Sequence, residues 1–483
     1  MSQRSRTRQP LAWIAAITLG LALLTLPVGR TSAAEPPKPE GRPAMGPLRV
    51  HPKNPRYFAD PRGRAVLLVG SHTWSSLVDI GPGDPPPKFD FPAYLDFLAG
   101  HGHNFIRLWT WESVTWNTEK NRRKGVHHAG PQPWARTGPG KALDGKAKFN
   151  LKRFSAEYFR RLRSRVAAAR KRGIYVSVML FEGWAMQFSP GAWEGHPFHK
   201  ANNVSGIDGD ANGDGKGLEI HTLTAPAVTA VQEAYVRKVI ETVGDLDNVL
   251  YEISNENHPP STAWQGHMIG LIHKVERSRG VRHPVGMTFQ YRGGSNKTLF
   301  ASEAEWVSPN PTGGYRDDPP VADGRKVVLA DTDHLWGIGG NRQWVWKSFF
   351  RGHNPIFMDP YDGVTLGPRS EKRWGPIRRA MGQARALSER VDLGALTPRK
   401  KLASTGYCLA RPAKAGAEYL VYLPKGGSAE VDLSAVGGEL RVEWFNPQSG
   451  KTHAGGTVRG GGRRKLSAPF QGDAVLHVRP ASR

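Results

Sequence analysis

The chain has 483 residues, which is enough for one large domain and a smaller one, and Cys408 is its only cysteine. A single cysteine excludes an internal disulfide and argues against a cysteine nucleophile or a cysteine-based metal site. The formal net charge of +25 favours an anionic partner, but the basic residues are spread along the chain. Because the basic and aromatic modules of nucleic-acid readers are absent, we expect no nucleic-acid partner.

The first 34 residues have the pattern of a signal peptide. Arg4, Arg6 and Arg8 precede an apolar run from Leu11 to Val28, and small residues follow at 31–34. We expect cleavage after residue 34, a linker over 35–47 and a secreted or periplasmic protein without stable membrane insertion. An uncleaved membrane anchor remains the alternative, because 18 apolar residues approach the spanning minimum.

Short apolar runs alternate with helical patterns over residues 48–395. After a hairpin at 56–70, strands are predicted at 66–69, 105–109, 174–180, 249–253, 284–289, 306–307, 327–330 and 355–358. Helices are predicted at 91–100, 151–172, 225–244, 264–279, 342–351 and 371–391. Eight such strands predict an α/β fold of the (β/α)8 TIM-barrel type, with the active site at the carboxyl ends of the strands. No Gly-x-Gly-x-x-Gly follows the first strand, which argues against a dinucleotide-binding sheet.

From about residue 400 the pattern changes to short alternating strands with glycine turns. Strands are predicted at 418–423, 429–433, 440–445 and 474–478. Residues 400–483 are therefore predicted to form a small antiparallel β-sandwich.

Glu256 is the strongest candidate for chemistry. It follows the fourth predicted strand in the segment Ser254-Asn255-Glu256-Asn257, and alternation along the strand places Glu252, Ser254 and Glu256 on its inward face. A carboxyl group there suits glycoside hydrolysis, in which one carboxyl protonates the leaving oxygen and a second attacks the anomeric carbon or activates water. The alternative is that Asn255 and Glu256 only begin a loop.

With these residues, positions 48–395 resemble the glycoside hydrolases of clan A, the cellulase-like barrels. That resemblance implies an Asn-Glu acid/base at Asn255-Glu256, and it implies that Arg107, in Asn104-Phe105-Ile106-Arg107, supports the nucleophile. The C-terminal segment, notably Trp444 to Gly450, resembles the domain named "putative collagen-binding", whose name is not evidence of collagen binding.

The chain departs from the clan at the seventh strand. Clan A has a nucleophilic Glu where this sequence reads Leu329-Ala330-Asp331-Thr332-Asp333-His334. Asp331 occupies the aligned position, and Asp333 is expected on the same strand face, so either could be the nucleophile. Another strand-end carboxylate, such as Glu182 or Asp359, is the alternative. An Asp side chain is one methylene shorter than Glu, which leaves retention, the outcome that the clan implies, open against inversion.

Polar and aromatic residues cluster after the predicted strands, where they could stack on a sugar or bind its hydroxyls. The predicted substrate-binding residues are His72, Trp74, Arg107, Trp109, Trp111, Glu182, Asn255, Tyr291, His334, Trp336 and Asp359.

Residues 208–219 match the calcium-loop pattern Asp-x-[Asp/Asn]-x-[Asp/Asn]-Gly-x5-Glu at each fixed position. The predicted ligands of a structural Ca2+ are Asp208, Asp210, Asn212, Asp214 and Glu219. An Asp/Gly-rich turn without an ion is the alternative.

Together these features predict a secreted glycosidase that acts on a carbohydrate, which the basic charge suggests could be acidic. A noncatalytic carbohydrate-binding protein is the main alternative. A metallohydrolase built on Asp331, Asp333 and His334 also stays open. A serine hydrolase is disfavoured, because Gly-x-Ser-x-Gly is absent.

Overall fold

A computed structural model describes residues 43–117 and 125–481, so the predicted signal peptide lies outside the described residues. Eight parallel strands form the main sheet. They are β1 (Gly70–His72), β2 (Phe105–Leu108), β3 (Tyr175–Glu182), β4 (Val249–Asn255), β5 (Val285–Thr288), β6 (Trp306–Ser308), β7 (Val327–Asp331) and β8 (Asn354–Met358). Neighbouring strands from β2 to β8 pair in chain order, and β8 also pairs with β1.

The sheet closes between β1 and β2 through Asn104. The Asn104 backbone N–H donates to the Val69 carbonyl at 3.0 Å. Its side-chain amide donates to the Leu67 carbonyl at 3.0 Å and accepts from the Val69 N–H at 2.9 Å. The result is a near-closed barrel, which confirms the predicted fold class.

The first strand begins later than predicted. Residues 67–69 are not in a ladder, because the side-chain amides of Asn104 and Asn354 bond their backbone instead; the Leu68 N–H donates to Asn354 Oδ1 at 3.0 Å. Regular pairing starts at Gly70, where a Cβ atom would lie 1.9 Å from the Phe105 carbonyl oxygen. Only glycine permits this close approach of β1 and β2.

Helices follow most strands and cover the barrel. They are α1 (Phe91–Gly100), α2 (Ala156–Lys171), α3 (Trp184–Phe188), α4 (Pro226–Val243), α5 (Thr262–Ser278), α6 (Asn296–Ala301), α7 (Thr332–Trp336), α8 (Arg342–Phe350) and α9 (Glu371–Ser388). Helix α2 starts five residues later than predicted, because residues Ala147–Phe154 pair with Trp134–Lys141 as an antiparallel hairpin. Ser155 then caps α2 by accepting from the Tyr158 N–H.

The barrel interior changes from apolar to polar along the strands. Near their amino ends, buried apolar side chains form one cluster that includes Phe105, Leu250 and Leu329. Two residues further along each of these strands stand Arg107, Glu252 and Asp331, all buried. Side chains two apart share a face, so alternation alone carries the interior from a packed core to a charged site.

The C-terminal region has two antiparallel sheets. One contains β9 (Thr397–Pro398), β10 (Cys408–Arg411), β11 (Glu418–Leu423), β13 (Glu439–Asn446), β14 (Lys451–Arg459) and β16 (Ala474–Pro480), and the other pairs β12 (Ser428–Asp432) with β15 (Arg463–Ser467). The prediction of antiparallel strands is confirmed.

This region packs on helix α8. The Arg342 guanidinium donates to both oxygens of the buried Asp473 carboxylate, at 3.2 and 2.7 Å. The rings of Trp346 and Phe350 lie 6.1 and 5.8 Å from the Tyr422 ring. Among the described helices, none is long and apolar enough to cross a membrane.

Candidate active site

Arg107 lies at the centre of the charged cluster at the carboxyl ends of the strands. Its Nε and Nη2 atoms donate to the Glu252 carboxylate at 2.9 and 2.5 Å, and Nη2 also donates to Asn255 Oδ1 at 2.7 Å. Its Nη1 atom donates to Asp331 at 3.0 Å and to Asp333 at 3.2 Å. One buried guanidinium therefore fixes groups from β4 and β7 relative to each other.

Glu256 follows β4 in a strained backbone conformation, with a φ of 42°. Its N–H donates to the Thr288 hydroxyl at 3.3 Å, and its carbonyl accepts from Gln187 Nε2 at 2.8 Å. Burial raises the pKa of the Glu256 carboxyl well above its usual value, and the negative charge of Asp333 raises it further. The Glu256 carboxyl therefore keeps its proton to a higher pH than an ordinary glutamate does.

Asp331 ends β7, and its carboxylate is fully engaged. It accepts from the Asp333 N–H at 3.0 Å, from His72 Nε2 at 3.0 Å and from Arg107 at 3.0 Å. Burial alone would raise the pKa of Asp331, but the His72 ring and the Arg107 cation hold it well below its usual range. Asp331 therefore stays ionised.

Asp333 lies in the first turn of helix α7, so the prediction that it shares the strand face of Asp331 is wrong. The chain turns into the helix because the Asp331 side chain caps it. Burial raises the pKa of Asp333 to about 6, Arg107 opposes that shift, and Asp331 adds to it. The Asp333 side chain is 7% exposed, whereas that of Asp331 is 1% exposed.

His334 supports Asn255. Its Nε2 lies 3.2 Å from Asn255 Oδ1, and its Nδ1 lies 2.6 Å from the Ser308 hydroxyl. Burial and Arg107 lower the pKa of His334 well below its usual value, so the ring is neutral. Since Asn255 offers an oxygen, the network assigns the proton to Nε2, and Nδ1 accepts from Ser308.

This arrangement does not favour the metallohydrolase alternative. Both nitrogens of His334 are engaged by protein groups, and the Arg107 guanidinium already lies between Asp331 and Asp333. A cation of the protein itself thus occupies the place that a metal would need.

Two of the predicted aromatic residues are corrected by the structure. Trp109 and Trp111 are each 1% exposed and pack into the core, where the Trp109 ring stacks on the His72 ring at 5.3 Å. Trp74 is 9% exposed and packs edge-on against Trp111. Strand-end position predicted rings open to a substrate, but Trp109 and Trp111 are buried among the rings of His72, Trp74 and Trp116.

Two predicted polar residues are also corrected. The Glu182 carboxylate accepts the N–H groups of Trp184 and Ala185 at 2.9 Å each, and it lies 3.5 Å from the Asn255 amide. Asp359 is fully buried and forms a bidentate ion pair with Arg378 of α9, at 2.8 and 2.5 Å. Both carboxylates are thus engaged by other groups of the protein.

Tyr291 and Trp336 remain at the surface, both partly buried. The Tyr291 ring lies 5.2 Å from the ring of Phe188, a partly buried residue that the sequence analysis missed. It also missed Thr288 and Gln187, which hold the backbone of Glu256. Phe188 and Gln187 lie on the short helix α3, where no helix was predicted. The residue that could have indicated it is Glu182, because a carboxylate just before a helix can accept hydrogen bonds from its first N–H groups.

The predicted calcium ligands are only partly brought together. Carboxylate oxygens of Asp210, Asp214 and Glu219 lie within 4.8 Å of one another, and Asn212 Nδ2 donates to Glu219 Oε1 at 2.6 Å. Asp208 is outside this group; its carboxylate lies 3.3 Å from Lys200 Nζ. Glu219 Oε2 is a buried atom without a hydrogen-bond partner among the described residues. Three carboxylates, one of which has an oxygen without a partner, fit a hard cation such as Ca2+.

Comparison with solved structures identifies the fold. A structure titled glycoside hydrolase is 15% identical, with a TM-score of 0.58, over 91% of this chain and 98% of that chain. A glycoside hydrolase of family 5 from Bacteroides vulgatus is 13% identical, with a TM-score of 0.57, over 92% of this chain and 96% of that chain. The fold is that of glycoside hydrolases. In the shared barrel, the charged cluster around Arg107 stands at the carboxyl ends of the strands.

Sequence comparison covers two parts of the chain. Residues 400–478 match the model described as "Putative collagen-binding domain of a collagenase". Residues 119–290, which include β3, β4 and Glu256, match a domain of unknown function, DUF6298. No curated protein matches the sequence.

Proposed function

We propose that this protein is a glycoside hydrolase in which Glu256 is the general acid/base and Asp333 is the second catalytic carboxylate. One observation carries the proposal. Glu256, a carboxyl with a strongly raised pKa, follows β4, and Asp333, a second carboxylate whose charge raises that pKa, lies in the first turn after β7 at the same end of the barrel. Glycosidic cleavage needs this pairing of one protonated and one ionised group.

Asp333 fits the second role better than Asp331, although Asp331 aligns with the clan nucleophile. The Asp331 oxygens accept three hydrogen bonds, whereas Asp333 accepts one, from Arg107, and its side chain is 7% exposed against 1% for Asp331. Asp333 is also the charged neighbour that most raises the pKa of Glu256. We therefore assign Asp331 to holding His72, Arg107 and the first turn of α7.

The two-step reaction then follows from these groups. The Glu256 O–H donates its proton to the glycosidic oxygen while an Asp333 oxygen attacks the anomeric carbon and the bond to the leaving sugar breaks. Glu256, now ionised, removes a proton from water, which attacks the same carbon and releases Asp333. Two inversions give net retention, as the resemblance to clan A implies. The partly buried rings of Tyr291, Phe188 and Trp336 are the candidates for stacking on the sugars.

The first test is a screen of the purified protein against plant, algal and host polysaccharides, with NMR of the released anomer. Glu256→Gln should lower kcat by at least about a thousandfold on any substrate found. Glu241→Gln, an exposed glutamate on α4, is the matched control and should act like the wild type. Wild-type turnover by Glu256→Gln would overturn the acid/base assignment. Binding of glycans without hydrolysis by the wild type would favour a noncatalytic binding protein.

Azide separates the two aspartates. In Asp333→Ala, azide should take the place of the missing carboxylate, restore cleavage of an activated aryl glycoside and give a glycosyl azide of inverted configuration. Asp331→Ala should lose activity without azide rescue, because it loosens Arg107 and His72 and does not remove the attacking group. Rescue of Asp331→Ala alone would reverse the assignment.

We also propose that the loop at 208–219 binds a structural Ca2+. The motif match, the three converging carboxylates and the unpartnered Glu219 oxygen support it. Lys216 Nζ lies 3.0 Å from Asp214 Oδ2, so the lysine would have to move aside or leave that oxygen unused. The loop lies in the connection between β3 and α4, where an ion would stiffen one wall of the site.

We propose that residues 48–395 and 400–483 are two domains in contact through α8. We also propose that the protein is exported, on the sequence pattern of residues 1–34. Expression of the full chain followed by amino-terminal sequencing of the extracellular or periplasmic product tests the proposed export. A mature chain that begins near Glu35 is expected, whereas a membrane-bound chain beginning at the original terminus would indicate an anchor.

A further inference from the structure

A second concave region, called here the basic cleft, lies at the same end of the barrel as the candidate active site. It is formed by the loop after β6, the end of α7, helix α8 and the start of α9, and has a volume of about 650 Å³. The side chains that matter in its wall are Arg316, Asp317, Trp336, Lys347, Arg373 and Trp374.

The cleft carries an excess of positive charge. Arg316 and Arg373 are exposed, and neither has a carboxylate partner among the described residues. Lys347 Nζ donates to the Asp317 backbone carbonyl at 2.8 Å, and its charge also acts on the nearby Asp318 carboxylate, so the excess charge of the cleft rests mainly on Arg316 and Arg373. Of the described residues that line the cleft, Asp317 alone is acidic.

Neighbouring arginines on α9 that do not line the cleft have carboxylate partners. Arg378, five residues after Arg373 on α9, is paired with both Asp359 and Glu371. Arg379, the next residue, is paired with Glu371 at 2.9 Å. Cations that serve the structure of α9 thus have carboxylate partners, whereas those that face the cleft do not.

Two tryptophans hold the free cations in place. The Arg316 guanidinium lies 5.4 Å from the centre of the Trp336 ring, and the Arg373 guanidinium lies 4.4 Å from that of Trp374. A cation over an aromatic face is positioned without losing its charge or its hydrogen-bond donors. The donors remain available to an anionic oxygen.

Helix α7 links the cleft to the catalytic carboxylates. Asp331 caps this helix, Asp333 lies in its first turn and Trp336 ends it. Five residues of helix span about 7.5 Å, close to the length of one or two sugar units. A glycan bound at Glu256 and Asp333 would therefore extend one of its neighbouring sugars to the cleft.

From these observations we propose that the basic cleft binds an anionic substituent of the glycan, a carboxylate or a sulfate, on a sugar beside the cleaved bond. The inference rests on the proposed glycosidase function and adds the substrate class: the substrate is an acidic polysaccharide or oligosaccharide. A carboxylate and a sulfate offer the same oxygen acceptors to Arg316 and Arg373, so experiment must separate them.

Binding tests the inference independently of turnover. The full chain carrying Glu256→Gln is titrated with three probes: oligogalacturonate, the same oligosaccharide after reduction of its carboxyl groups, and a sulfated galactan oligosaccharide. The comparison distinguishes the two anions. We expect one anionic probe to bind at least about tenfold more tightly than the carboxyl-reduced probe, with binding weakened by salt. Equal affinity for all three probes, or no binding of either anionic probe, would overturn the inference.

Matched variants locate the site. Arg316→Gln and Arg373→Gln should each weaken binding of the preferred anionic probe about tenfold, as expected for loss of one charge-assisted contact, and should leave the reduced probe unaffected. Arg459→Gln, an exposed arginine on β14, removes the same charge elsewhere and should change nothing. Equal losses in Arg459→Gln would show a nonspecific charge effect and overturn the inference.

Turnover by the wild type keeps the two proposals apart. Suppose that the wild type hydrolyses an anionic glycan, and that the cleft variants lose as much activity on its carboxyl-reduced or desulfated form as on the anionic form. The glycosidase proposal then stands and the cleft inference fails. If anionic probes bind through Arg316 and Arg373 while no glycan is hydrolysed, the catalytic proposal fails and the cleft is still an acidic-glycan site.

Discussion

Replacing Glu256 by glycine should remove catalysis and relieve strain at the same position. The φ of 42° at Glu256 lies in the left-handed region, and Glu256 is the one non-glycine residue with a positive φ in the described ranges 43–117 and 125–481. The contacts from Thr288 and Gln187 hold the backbone there. Backbone strain of this kind is often found where geometry serves function.

The magnitude follows from two opposing terms. A left-handed conformation costs a residue with a Cβ atom about 1–2 kcal/mol, and it costs glycine almost nothing. Glycine loses about 0.5–1 kcal/mol more conformational entropy than alanine on folding. Glu256→Gly should therefore be more stable than Glu256→Ala by about 0.5–1 kcal/mol. Both variants lose the same carboxyl group, so their difference reports the backbone alone.

Guanidinium unfolding, followed by tryptophan fluorescence and circular dichroism, measures this difference. Glu241 on α4 supplies the control, because glycine in an exposed helix should be less stable than alanine by about 1 kcal/mol. The order of glycine and alanine should thus reverse between positions 256 and 241. If alanine is the more stable residue at both positions, the left-handed backbone at Glu256 is not strained and the reasoning is wrong.

Three further predictions concern pH, the metal and the domain contact. The rate kcat/KM should fall as the pH drops through about 6, because burial raises the pKa of Asp333 to about 6 and protonation removes the attacking carboxylate; a profile flat from pH 7 to 4 would contradict this. Adding Ca2+ after chelation should raise the melting temperature in a saturable way, an effect that Asp210→Asn should weaken; identical melting with and without Ca2+ would exclude the ion. Arg342→Leu should lower the free energy of unfolding by about 2–3 kcal/mol, because it leaves the buried Asp473 carboxylate with the Tyr422 hydroxyl but without a cation. Arg325→Leu, which breaks an exposed pair with Asp323, should cost less than about 1 kcal/mol, and equal unfolding curves for the two variants would contradict a structural role for the buried pair.

The order of strands and helices was predictable from sequence because each barrel strand is a local apolar run. The boundary at β1 was not, because it depends on the side chains of Asn104 and Asn354, which are distant in sequence from the backbone they bond. The start of α2 was not either, because residues Ala147–Phe154 pair with Trp134–Lys141 in a hairpin before the helix begins. Arg107 and Asn255 were found from strand position and clan pattern, and the structure brings them together.

Burial limited the site prediction. Strand-end position places Trp109, Trp111 and Asp359 at the correct end of the barrel, but whether a side chain faces solvent depends on loops and on partners such as Arg378. The turn of the chain at Asp331 likewise moved Asp333 from the strand to a helix, because a capping hydrogen bond outweighed strand continuation. Neither effect has a signature in local periodicity.

Helix α8 contacts two other parts of the molecule. Its residues Arg342, Trp346 and Phe350 contact the C-terminal sheets, and Lys347 lines the basic cleft. Trimming the chain to its barrel, a common step in enzyme engineering, would expose those rings to water and leave the guanidinium without its carboxylate. The C-terminal β-sheets therefore support the packing of the barrel and are more than a domain attached by a flexible linker. Replacing them with another domain would therefore remove packing that supports the barrel.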